Sequence, residues 1–124
     1  MRFWKLIAVP IALLASQALA ENWVPVAYND EDGSSVDVDK DSIRRGGDGL
    51  VYFTDDQDAT YSAEAADCPR RLIYLLSLDL VIGKHVDFPN WRNDGKAVEA
   101  KSFGEAELQF ACANAGLRRS GSRY

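Results

Sequence analysis

Arg71-Leu72-Ile73-Tyr74-Leu75-Leu76-Ser77-Leu78-Asp79-Leu80-Val81-Ile82 is the clearest secondary-structure signal in the chain. Taken two residues at a time, one parity gives Leu72, Tyr74, Leu76, Leu78, Leu80 and Ile82, an unbroken apolar face. The other gives Arg71, Ile73, Leu75, Ser77, Asp79 and Val81, mixed but far from polar. A strand of that kind belongs near the centre of a sheet, with its better face covered. The cover comes from the last element. Ser102-Phe103-Gly104-Glu105 fits a capping box, with Ser102 accepting from a first-turn amide and Glu105 reaching back. Leu108, Ala111, Cys112 and Ala115 then fall on one helical face, and Gly116 is placed to stop the helix. The expected fold is α+β, a small antiparallel sheet with a C-terminal helix packed on one face.

Outward from this pair, the other segments supply more strands. Trp23-Val24-Pro25-Val26-Ala27-Tyr28 reads as extended, and Pro25 suits an edge position. Asp32-Gly33 marks a hairpin turn before the alternating Ser35-Val36-Asp37-Val38-Asp39. Asp41 to Arg45 suits a single helical turn, Gly46 to Gly49 a tight turn, and Leu50 to Thr54 an aromatic and β-branched strand. Residues 55–58 read as a polar loop. Residues 60–68 fit a strand or a short helix, with the strand preferred. Gly83 to Lys101 reads as a long polar loop.

The first twenty residues have the form of a secretory signal peptide. Arg2 and Lys5 precede the apolar run Leu6 to Leu14, and Ala18-Leu19-Ala20 offers a small-residue cleavage pattern before Glu21. The run is too short for a stable membrane anchor, so no membrane insertion is expected. Cleavage near Ala20-Glu21 leaves 104 residues, room for one domain, placed in the periplasm, secreted, or at the cell surface. That domain is expected at 21–116, followed by a disordered basic tail at 117–124. Cys68 and Cys112 are the only cysteines, and an oxidising compartment favours a disulfide between them. The bridge would tie the helix to the sheet.

Charge narrows the function classes. The formal net charge is −5, and without Arg2, Lys5, Arg118, Arg119 and Arg123 the body, residues 21–117, carries −10. Repulsion disfavours nucleic acid and anionic lipid, whereas basic partners are attracted. The acid-rich stretch Asp30 to Asp41 invites a calcium reading, but Gly33 at the sixth loop position puts Tyr28 at the first, where a carboxylate is needed. An irregular weak site from Asp30, Asp32 and Asp37 stays open, although solvated acids beside a hairpin are commoner, and no metal or cofactor is expected. His85 is the sole histidine, with no serine or cysteine in a recognised nucleophile setting, so no catalytic residues are assigned. Phe88 and Trp91, in a proline-containing loop, are candidates for partner contact alongside Asp30, Asp32 and Asp37. The commoner outcome for such a tryptophan is to fold back onto the sheet or helix.

Several runs resemble the surface-adhesin protein E family of small exported bacterial proteins. They are Trp23-Val24-Pro25-Val26, Val36 to Gly46 (VDVDKDSIRRG), Cys68 with Arg71 to Ser77, and Glu105 to Cys112. They stand in order and cover most of residues 22–112. The resemblance implies an antiparallel sheet, a C-terminal helix tied to it by the disulfide, no known catalytic residues, and adhesin-like contact with host matrix or plasma proteins, often as a dimer. Two departures are the lack of a lipid-anchor cysteine and an 84–101 loop without a recognised binding motif. The expectation is therefore a non-enzymatic exported binding domain, monomer or homodimer, whose protein partner is not named by the sequence. The alternative is an acidic inhibitor or chaperone of a basic exported protein such as a lysozyme-like enzyme.

Overall fold

The computed structural model describes residues 22–122, with backbone alone from residue 116 onward. The leader expected at 1–20 lies outside the described residues. The chain forms an antiparallel sheet of eight strands. These are β1 (Trp23–Tyr28), β2 (Ser35–Asp39), β3 (Arg44–Arg45), β4 (Val51–Gln57), β5 (Thr60–Asp67), β6 (Leu72–Asp79), β7 (His85–Asp87) and β8 (Lys96–Ala97), followed by helix α1 (Phe103–Ser122). The main path runs β1-β2-β4-β5-β6-β7, with β3 beside β4 and β8 beside β6. The α+β reading holds, with α1 on one face.

The core follows from the alternation of β2 and β4. Val36 and Val38 point inward from β2, Val51 and Phe53 from β4, and Ile43 from the connection between them. On α1, Leu108, Ala111 and Ala115 meet this layer as one stripe. The alanines let the helix axis approach closely, so the contact depends on fit more than on bulk. Cys68, just after β5, is bonded to Cys112 of α1, with Cα atoms 6.0 Å apart. Closing that 44-residue separation removes about 4 kcal/mol of unfolded-chain entropy. Near the same corner, Arg71 donates to Glu105 at 2.6 Å.

Several local expectations change. Residues 55–57 extend β4 instead of forming a loop, because their amides and carbonyls pair with both β2 and β5. Residues 60–67 are a strand, and the β4–β5 connection is only Asp58-Ala59, both with positive φ (55° and 70°). That is the conformation of a two-residue hairpin whose twist matches its strands. The helical turn expected at 41–45 is a 3-10 turn at Lys40–Ser42, after which Arg44–Arg45 already pair with β4. The 84–101 segment is not a plain loop: it carries β7, a 3-10 turn at Trp91–Asn93, and β8.

β6 departs most from its sequence pattern. Ala63 pairs with Ser77 and Glu64 with Leu75, so Leu76 is an extra residue that switches parity. Ile73, Leu75 and then Leu78 therefore share the helix side, while Leu72, Tyr74 and then Ser77 share the other. The strand stops at Asp79 because Leu80 to Lys84 closes a turn through Gly83, at φ +85°. Val81 and Ile82 are left at its tip, 69% and 80% exposed.

At the helix start, Ser102 Oγ accepts from the Glu105 amide at 3.1 Å. The return contact goes to the Lys101 amide at 2.8 Å, one residue earlier than a capping box requires. Gly116 does not stop the helix, whose backbone continues through 117–122, the larger part of the expected tail. An interior glycine costs about 1 kcal/mol but ends a helix only with a left-handed terminal turn. Residues 123–124 of that tail lie outside the described residues.

Two stability outcomes are expected. The Cys68→Ala/Cys112→Ala double variant should lose about 2–4 kcal/mol in denaturant unfolding. Ala59→Gly should gain up to about 1 kcal/mol, since glycine relieves the left-handed strain at a smaller entropic cost.

Candidate functional site

Two features stand out: a group of acids between helix and sheet, and the sheet face turned away from the helix. The first follows from the periodicities already described. Val51, Phe53 and Asp55 alternate onto the helix side of β4. Glu64 joins them because it is the direct partner of Phe53, as Ser62 is of Asp55. Glu107 lies four residues before Ala111 and eight before Ala115, within the buried stripe of α1. One carboxylate oxygen from each of Asp55, Glu64 and Glu107 lies within 4.8 Å of the others.

The burial is severe for acids. Asp55 is 1% exposed and Glu107 4%, and Glu64, half-buried as a whole, has its Oε1 fully buried. Asp55 Oδ1, Glu64 Oε1 and Glu107 Oε2 accept from no N–H or hydroxyl, and the three carboxyls lie close enough to share protons with one another. Among the described residues no lysine, arginine or histidine forms an ion pair with any of the three. Two full charges no more than 4.8 Å apart repel by roughly 3 kcal/mol or more at an effective dielectric of about 20. Without a counter-charge the group must take up protons. Burial, then the neighbouring Asp55 and Glu64, pushes Glu107 up to about 12. Burial and the Asp55 charge hold Glu64 well above the ordinary range, and burial raises Asp55 as well. Chemically the group is suited to sharing protons or to holding a hard cation.

The opposite face of the sheet is divided in two. In one half, Tyr52 and Tyr74 flank Ala65, their common neighbour on β5. Trp91 stands edge-on to both, with ring centroids 6.2 and 5.5 Å away. Arg92 stacks on Trp91 at 4.3 Å and reaches Asp48 at 3.0 Å. Gly95 permits the return of this segment, since a Cβ there would lie 2.7 Å from the Tyr74 ring. In the other half an open cleft of about 540 Å³ remains, walled by Trp23 and Tyr61 (centroids 5.7 Å apart) and floored by Thr54, Ala63 and Ser77.

Two of the cleft's residues, Tyr61 and Asp79, belong to a row of side chains in register. Asp37 pairs with Asp56, Asp56 with Tyr61, Tyr61 with Asp79, and Asp79 with His85, a row across five strands. Asp39 also lines the cleft, but its Oδ1 is occupied by the amides of Asn22 and Asp41. His85 bridges Asp79 at 2.6 Å and Asp87 at 2.8 Å, and these two contacts raise its pKa.

The residues singled out from sequence are dispersed. Asp30 and Asp32 are exposed in the β1–β2 turn, where Asp32 accepts from Ser34. Asp37 belongs to the acidic row. Trp91 is folded onto the sheet, and half-buried Phe88 lies beside Leu76 and Trp91. The structure therefore does not assemble Asp30, Asp32 and Asp37 into one site. The acids it does assemble were missed, although extending Val51-Phe53 by two residues, and Ala115-Ala111 back by four, leads to Asp55 and Glu107. Compared with protein-family models, with curated proteins and with solved structures, the chain matches none of them.

The protons held by these acids give a definite pH dependence. Unfolded, the three ionise near pH 4; folded, they keep protons at higher pH. Between those limits the folded state binds more protons, so stability falls as pH rises. Metal-free protein should melt at progressively lower temperature from pH 5 to pH 8, and Glu107→Gln should raise the pH 8 value and flatten the slope.

Proposed function

We propose that the chain is a non-enzymatic exported binding domain that acts through protein–protein contact, with the sheet face opposite the helix as its contact surface. The observation that carries this reading is the cross-strand row Asp37-Asp56-Tyr61-Asp79. It places three carboxylates and an aromatic ring side by side on a face that α1 leaves free. Carboxylates steer and orient a basic partner, while aromatic rings supply apolar contact area. The three hairpin turns at 29–34, 58–59 and 80–84 lie at the same end of the sheet. Exposed Tyr28, Val81 and Ile82 are therefore placed near the end of this row. Apolar tips beside fixed charge are the composition of a docking surface.

The motifs resembling the surface-adhesin protein E family agree with this reading and add adhesin-like contact with host matrix or plasma proteins. The alternative, an acidic inhibitor or chaperone of a basic exported protein, draws on the same row and on the charge of −10 over residues 21–117. No described helix is long and apolar enough to cross a membrane.

Partner capture from periplasmic extract and from matrix and plasma proteins, followed by a salt titration, tests both. The captured partner should be basic at its contact surface, and its affinity should fall steeply as salt rises. Asp56→Asn/Asp79→Asn should weaken it about five- to tenfold without lowering the melting temperature. Failure to capture any partner at micromolar protein, or a complex indifferent to both salt and this substitution, would refute the reading.

A further inference from the structure

We infer that Asp55, Glu64 and Glu107 form a site for a single divalent cation of the oxygen-seeking class, with calcium the best match. The site is separate from the proposed contact surface: it lies beneath α1, on the other side of the sheet.

Three acids drawn together do not make a metal site, and exposed acidic patches are common. What distinguishes this group is that its most buried members have oxygens left without donors. Asp55 and Glu107, 1% and 4% exposed, each direct an unpartnered oxygen into the shared space. Buried polar atoms are almost always paired, so converging acceptors that meet only one another call for shared protons or a bound cation. No described side chain supplies a positive charge there.

The ligand chemistry selects the ion. All three groups are carboxylates, and Ser62, the partner of Asp55, adds a neighbouring hydroxyl. No sulfur or imidazole is present, which disfavours softer ions such as zinc. Calcium takes oxygen ligands at about 2.3–2.6 Å, so ligand atoms may stand as far as about 5 Å apart across it. Magnesium, at about 2.0–2.1 Å, spans only about 4 Å and retains several waters. Three carboxylates converging within 4.8 Å can present up to six oxygens, which suits calcium's need for six or more protein ligands better than magnesium's retained waters. An ion there would crosslink β4, β5 and α1, adding β4 to the link that the disulfide already makes between the end of β5 and α1.

The test uses the full exported chain, treated with chelator and then titrated with calcium, magnesium or zinc alone. Thermal melting and calorimetry are the readouts. Calcium should bind one to one and raise the melting temperature by several degrees at about 1 mM, the range of extracellular calcium modules. Magnesium should do so weakly. Glu64→Gln, at the more accessible member, should weaken calcium binding at least tenfold. Glu107→Gln should abolish the calcium-dependent shift while leaving a folded and, without metal, more stable protein. Asp30→Asn/Asp32→Asn should change none of this. A melting temperature insensitive to calcium overturns the site, as does calcium binding that survives both glutamate substitutions. A response confined to zinc or magnesium overturns the choice of ion.

Discussion

The Cys68–Cys112 bond joins the end of β5 to the helical turn next to Ala111, a fully buried residue of α1. Most of the molecule depends on this attachment. The core is thin, built from two β2 valines, Ile43, Val51, Phe53 and a helix stripe of one leucine and two alanines. Alanine stripes bury little apolar area, so packing alone holds such a helix weakly. A covalent link worth about 4 kcal/mol in the entropy model is a large share of the ~5–15 kcal/mol typical of a whole domain. With α1 held in place, three acids are enclosed beneath it and the opposite sheet face is left free.

The two faces of the sheet thus carry opposite solutions to one problem, an excess of carboxylates. On the free face, Asp37, Asp56 and Asp79 are spaced along a row where water screens them. Beneath the helix, Asp55, Glu64 and Glu107 converge in a buried space with no ion-pair partner among the described residues. Repulsion on the free face costs little and leaves charge available to a partner. The enclosed group must be neutralised, by protons or by an ion, before the helix can settle fully. Stability is thereby linked to solution conditions on one side and recognition to charge on the other.

The arrangement of the 84–101 segment shows how covering one surface exposes another. Trp91 caps the Tyr52–Ala65–Tyr74 row, and that use removes it from the free surface it was a candidate to occupy. The cap ends where Ser77 and Ala63 begin, and the cleft lined by the packed Trp23–Tyr61 pair opens beyond it. Aromatic side chains from the first strand and the fifth, distant in sequence, come together there because β1-β2-β4-β5 are consecutive in the sheet.

The sequence by itself determined the elements whose signals are local. The Ser102 start of the helix, the Asp32-Gly33 hairpin and the stripe containing Cys112 follow from local spacing, and the cysteine pairing from there being only two cysteines. Tertiary structure decided what depends on register and on the partner strand. The extra residue at Leu76 splits the apolar parity of Arg71 to Ile82 between two faces, and a period-two reading has no means of detecting a bulge that only pairing with β5 creates. Asp55 looked like loop because acids favour solvent, yet hydrogen bonding on both sides of β4 carried it inward. Glu107 sat in the helix stripe all along, but its significance required Asp55 and Glu64 to face it. Local chemistry fixes periodicity; only the assembled sheet and helix fix which charges must share a buried space.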